Sequence, residues 1–102
     1  MNGKIKEIIQ SALDGYTIEK IILFGSRARG DFNDDSDYDI YIILSNDINR
    51  QERVQLTDKI LEQLAVNRIW ADILIRSKSE FEIYKNRIGT ITRDVLKEGI
   101  EI

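Results

Sequence analysis

The sequence contains no cysteine, no histidine and no proline. Without cysteine, neither disulfides nor thiolate chemistry is available. Without histidine, the commonest general base and the commonest zinc ligand are both missing. Any catalysis must then rest on carboxylates, hydroxyls, lysine, arginine or a bound metal. Positive charge is not in surplus either. The 18 acidic residues outnumber the 15 basic ones, for a net charge of −3. No bulk basic field is available to hold nucleic acid, and direct nucleic-acid binding is not expected. No apolar run reaches the roughly 18 residues that a membrane-spanning helix needs. The opening MNGKIKEIIQ has neither the apolar core nor the cleavage site of a signal peptide. The expectation is a cytoplasmic protein with no membrane partner, folded as one domain over residues 1–102.

Hydrophobic periodicity divides the chain into short elements. Residues 4–13 place Ile5, Ile8, Ile9 and Ala12 or Leu13 at helical spacing, and Asp14-Gly15 ends that helix. Ile18–Phe24 is an apolar run that reads as a buried strand, and Gly25 marks the turn after it. Residues 31–36, DFNDDS, are polar and turn-prone. Asp37–Leu44 is dense in β-branched and aromatic residues and reads as a second strand. Residues 50–66 place Val54, Ile60, Leu61 and Leu64 on one helix face, with Leu56 on its flank. Ile69–Ile75 reads as a third strand. Ser79 opens the next helix, with Glu82 three residues on as a capping box. A last helix covers Ile88–Leu96 and is ended by Gly99. The order α, β, short α, β, α, β, α, α predicts an α/β (α+β) fold, a small mixed sheet covered by helices.

Three aspartates interrupt this apolar pattern. Asp37 and Asp39 lie two apart on one strand, so both carboxylates leave the same face, roughly 6.5 Å apart along the chain. Tyr38, Ile40 and Ile42 then face the core. Asp72 sits inside the apolar run IWADILI, where an ionised carboxylate is costly unless paired or bound to metal. If that strand neighbours the second, Asp72 joins the other two, and hard carboxylate oxygens suit Mg²⁺. Read singly, each has a plainer role: Asp37 and Asp39 as solvated residues of a strand start, Asp72 as a surface residue of an edge strand. Gly25-Ser26, directly after a strand and followed by RARG, can bring backbone N–H groups and a hydroxyl up to an anion. The spacing of Gly25 and Gly30 imitates a phosphate loop, but Asp31-Phe32 stands where that loop needs Lys-Ser or Lys-Thr. There is no GxGxxG.

The combination is more specific than its parts. Gly25-Ser26, ten intervening residues, then Asp37-Tyr38-Asp39, with both halves on predicted strands, resembles the DNA polymerase β-like nucleotidyltransferase superfamily. GSRARGDFNDDSDYDIYIIL is most similar to its minimal nucleotidyltransferases, over most of the chain, and nothing in the motif departs from the pattern. The resemblance implies two Mg²⁺ ions held by Asp37, Asp39 and Asp72, with ATP as substrate. It implies that Gly25 and Ser26 hold the triphosphate; with no histidine present, Asp72 is the best candidate to receive the hydroxyl proton, helped by a metal that lowers that hydroxyl's pKa. Arg27 and Arg29 become candidate phosphate contacts, with a solvated surface role as the alternative. The implied partner is a helical HEPN-domain toxin whose tyrosine accepts AMP, which makes the chain an antitoxin. Two rivals stay open: a module that neutralises its partner by contact alone, and transfer to a small molecule.

Overall fold

The computed structural model describes residues 2–102; Met1, the first residue of the expected 1–102 domain, lies outside the described residues. In chain order the elements are α1 (Asn2–Ala12), β1 (Ile18–Phe24), α2 (Gly25–Arg29), β2 (Tyr38–Leu44), α3 (Arg50–Val66), β3 (Ala71–Ser77), α4 (Lys78–Tyr84), α5 (Ile91–Glu98) and β4 (Ile100–Glu101). The strands form one mixed sheet in the order β3-β2-β1-β4. β1 runs antiparallel to both β2 and β4, while β2 and β3 are parallel and joined through α3.

Side chains alternate across each strand, so the sheet has two different faces. Ile40, Ile42 and Leu44 of β2 join Ile21, Leu23 and Ile75 on one face, against Ile5, Ile9 and Leu13 of the α1 region and Leu56, Ile60 and Leu64 of α3. On the other face Ile22, Tyr41 and Ile43 pack with Val95 of α5 and Phe81 of α4. The Tyr41 hydroxyl, fully buried, meets the Thr92 hydroxyl at 2.7 Å and ties β2 to α5. β2 is covered on both faces, which is why its middle reads as an unbroken apolar run.

Several boundaries differ from the sequence reading, each for a physical reason. β3 starts at Ala71 and runs to Ser77, because Ile69 closes the end of α3 and pairing with β2 extends to Leu44↔Ser77. The following helix is therefore capped by Ser77 with Glu80 as its capping box, not by Ser79 with Glu82. Both serines have a glutamate three residues on, and strand pairing selects the first. In α3 the buried stripe is Leu56, Ile60 and Leu64, at four-residue intervals, and Val54 faces outward at 52% exposure. The last helix begins at Ile91 with Thr90 as N-cap, so Ile88 lies in the turn before it. β4 was not anticipated; two residues are too short to show alternation.

Candidate active site

β1 delivers its last residue, Phe24, opposite Asp39 of β2. The chain then turns at Gly25, whose φ of 70° lies in the left-handed region. A Cβ built on Gly25 would overlap the Asp39 carboxylate oxygen. Two requirements thus select glycine here, a backbone angle that side chains disfavour and the absence of room beside an aspartate. Gly25 and Ser26 open α2, and the residue before them is an apolar phenylalanine that supplies no side-chain cap. The first N–H groups of a helix have no partner within it.

The parallel pairing of β2 with β3 sets Asp39 directly beside Asp72. Asp37, one residue before β2, is close enough that its charge acts on Asp39. Burial pushes the Asp39 carboxyl above the usual aspartate value, and the neighbouring Asp72 and Asp37 charges push it further the same way. The Arg29 guanidinium offsets part of this. Like charges crowded around a half-buried carboxylate are unfavourable until a cation shares them. The donor set, oxygen only, is one that Mg²⁺ accepts. Among the described residues no three carboxylates stand preassembled at ligand distance. That fits an ion that takes one or two carboxylates and completes its shell with substrate phosphates and water.

The two arginines of RARG part company. Residues two apart on a helix point to nearly opposite sides. Arg29 turns to the carboxylate side, where it pairs with Asp31 at 3.1 Å and with Glu98 of α5 at 3.2 Å. Arg27 turns to the side of Tyr38, whose ring packs with the α1–α3 core, away from Asp37 and Asp39. Its Nε and Nη2 donate to the Ser36 carbonyl at 3.2 and 2.9 Å. Gly25, Ser26, Asp37, Asp39 and Asp72 are thus brought to one end of the sheet with Arg29 beside them, while Arg27 is engaged elsewhere. Glu98 and Asp31 were not singled out from sequence. Their acidic side chains carry no pattern there, and only the docking of α5 reveals the pairing.

An open mixed sheet with Asp39 and Asp72 side by side at its strand ends, Asp37 next to them and a Gly-Ser turn against Asp39, has the architecture of an enzyme acting on nucleotides. The polymerase beta nucleotidyltransferase family matches residues 4–102, and the chain belongs to it. It is accordingly a nucleotidyltransferase, as the intact motif anticipates. Two proteins of Methanocaldococcus jannaschii, each named as a candidate protein adenylyltransferase, are similar to it. The first is 35% identical, covering 93% of this chain and 90% of the relative. The second is 33% identical, covering 83% and 79%. Among solved structures, a candidate nucleotidyltransferase of Sulfolobus solfataricus superposes with a TM-score of 0.63 at 24% identity, over 96% of this chain and 76% of that one. A toxin–antitoxin structure containing AMP-PNP gives 0.64 at 18%, over 97% and 69%. A complex of tri-AMPylated Shewanella oneidensis HEPN toxin with MNT antitoxin gives 0.56 at 16%, over 97% and 66%. These three likenesses speak for the fold.

Proposed function

We propose that this chain is a Mg²⁺-dependent protein adenylyltransferase that moves AMP from ATP to a hydroxyl of a partner protein, a tyrosine of a helical HEPN-type toxin, and so acts as its antitoxin. The observation that carries the reaction is the side-by-side pairing of Asp39 with Asp72, next to Asp37 and beneath Gly25. The protein acceptor and the toxin partner are supported by the names of the two archaeal relatives and by the toxin–antitoxin complexes that share the fold.

Asp37, Asp39 and Asp72 would hold two Mg²⁺ ions. When bound, these ions neutralise phosphate charge and lower the pKa of the attacking hydroxyl. Gly25 and Ser26 hold the triphosphate tail through N–H groups and the Ser26 hydroxyl, with Arg29 as a further phosphate contact. The acceptor oxygen bonds to the α-phosphorus, the bond from that phosphorus to the bridging oxygen of the β-phosphate breaks, and pyrophosphate leaves. The hydroxyl proton passes to Asp72, which is exposed and makes no ion pair among the described residues. With no histidine in the chain, a carboxylate is the available base.

Exposed Ile83, Ile88, Ile91 and Leu96 also favour a second reading, neutralisation of a partner by contact alone. Incubation with α-labelled ATP, Mg²⁺ and the protein encoded beside this chain separates the two. Transfer predicts that the neighbour gains label and mass in whole AMP increments. Tight binding without any gain of mass leaves the contact reading, and mass gain on a small molecule instead points to the other rival.

A further inference from the structure

We propose that Arg27 is a positioning residue of the active site: its guanidinium ties the connection between the Gly-Ser turn and β2 together, and so fixes where Asp37 presents its carboxylate. The inference rests on the transferase reading for Asp37, and assigns Arg27 to the loop instead of the phosphates.

The ten residues between Ser26 and Asp37 are the least supported part of the site. Asp31–Asp35 are all exposed, and besides the Arg29–Asp31 ion pair the loop's own bonds are short-range ones between Asn33, Asp35 and Ser36. One group spans it. The Arg27 guanidinium lies 4.4 Å from the centre of the Phe32 ring and 4.4 Å from the centre of the Tyr38 ring. Two of its nitrogens donate to the Ser36 carbonyl. Ser36 and Tyr38 are the two neighbours of Asp37 in the chain, so one guanidinium holds Asp37 from both sides. The Tyr38 ring turns away from the carboxylates, so Arg27 restrains the strand start from the far side and leaves Asp37 open. Arginine suits this task because its planar fork can stack on rings and donate in-plane at once. A lysine ammonium is a compact point charge that can lie over one ring or donate to the carbonyl, but has no plane with which to hold two rings and donate at once.

That difference supplies the test. Lysine also binds phosphate as a point charge, so R27K should rescue a phosphate contact and should not rescue the tie. Arg27→Ala, Arg27→Lys and Phe32→Leu are compared with the parent by amide hydrogen exchange without nucleotide or metal. The amides followed are those of Ser36 and Tyr38, which bond to the Asn33 and Trp70 carbonyls. ATP affinity is then measured with and without Mg²⁺. We expect both arginine variants to exchange about 10-fold faster at these amides, with β1 and α3 unchanged. Metal-free ATP affinity stays within about 2-fold of the parent, and the gain on adding Mg²⁺ shrinks about 10-fold, as a displaced ligand requires. The proposal is overturned if exchange is unchanged, or if R27A loses metal-free ATP affinity and R27K restores it. Should R27A fail to fold, R27K and F32L decide the matter. Phe32 is 44% exposed, so its loss leaves the core intact, and unchanged exchange in both variants overturns the idea. A parent whose ATP binding ignores Mg²⁺ would count against the transferase reading, while the exchange comparison still decides the role of Arg27.

Discussion

Asp39 concentrates the conflict on which the site depends. Its carboxylate is half-buried, lies against Gly25, and is raised by burial and by the charges of Asp72 and Asp37. The sign of the effect on stability follows. A carboxyl whose folded value is raised costs nothing while protonated and destabilises the fold as pH rises through that value. Asp39→Asn preserves shape and removes the repulsion, so without metal its melting temperature at neutral pH should exceed the parent's by a few degrees. The same change should abolish AMP transfer, since an amide is a poor ligand for a hard cation; near-normal turnover by D39N would rule out a metal-bound Asp39. Gly25→Ala should instead lower stability, by about 1 kcal/mol or more through its φ of 70°, and lower transfer as well by displacing Asp39. A crystal structure of G25A with Asp39 unmoved would contradict this. At this scale much was readable. Asp37, Asp39 and Gly25 stand out because charge and glycine interrupt apolar strands. The partners of Arg27 and Arg29 were not readable, since stacking and ion pairing across the molecule leave no spacing in the chain.

The elements owe their legibility to burial. β1 and β2 are framed by a turn and covered on their inner faces, so their apolar runs coincide with the strands to within one residue. α3 shows the limit, because Val54 and Leu56 are equally apolar and only packing decides between them. The start of α4 shows another, since two overlapping capping boxes compete and sheet register chooses Ser77. That cap also sets a pH response. Burial pushes the Glu80 carboxyl up, but the Ser77 N–H and the Arg53 guanidinium, 2.7 Å away, outweigh it and hold Glu80 below the usual value. The stabilisation is present at neutral pH and is lost as pH falls through the ordinary glutamate range and below it. Glu80→Gln should therefore reduce stability at pH 7 by at most about 1 kcal/mol, water screening the pair, and flatten the acid limb of a stability-versus-pH curve; an unchanged limb would exclude Glu80 as its source. The joint between β2 and α5 gives a sharper case. Thr92→Val leaves the buried Tyr41 hydroxyl without a partner and should cost about 1–3 kcal/mol. The double variant with Tyr41→Phe should recover part of that in thermal unfolding, and strict additivity would show that the two hydroxyls do not act as a pair.

Over the whole molecule, the question is what places the acceptor at the carboxylate end of the sheet. An acceptor must be placed within about 3–3.5 Å of the α-phosphorus for efficient attack. The C-terminal segment, α4 to α5 with the turn between them, leaves Ile83, Ile88, Ile91 and Leu96 exposed, with Ile88 at 86%, and apolar side chains left to solvent suit contact with another protein. The isolated chain should thus transfer AMP poorly to free tyrosine or simple alcohols and well to its cognate partner; efficient modification of a small alcohol by the chain alone would show that no partner is needed to position the acceptor. The parallel pairing of β2 with β3 has a further consequence, for the order in which the site comes into being. The β1–β2 pair is the more local one, and brings Gly25 to Asp39 through the connection that carries α2. Asp72 can reach them only after the chain has closed the long α3 crossover, whose entropy must be met before its contacts form. The repulsion between Asp39 and Asp72 is thereby absent from the β1–β2 pair alone and arises only once β3 has docked beside β2.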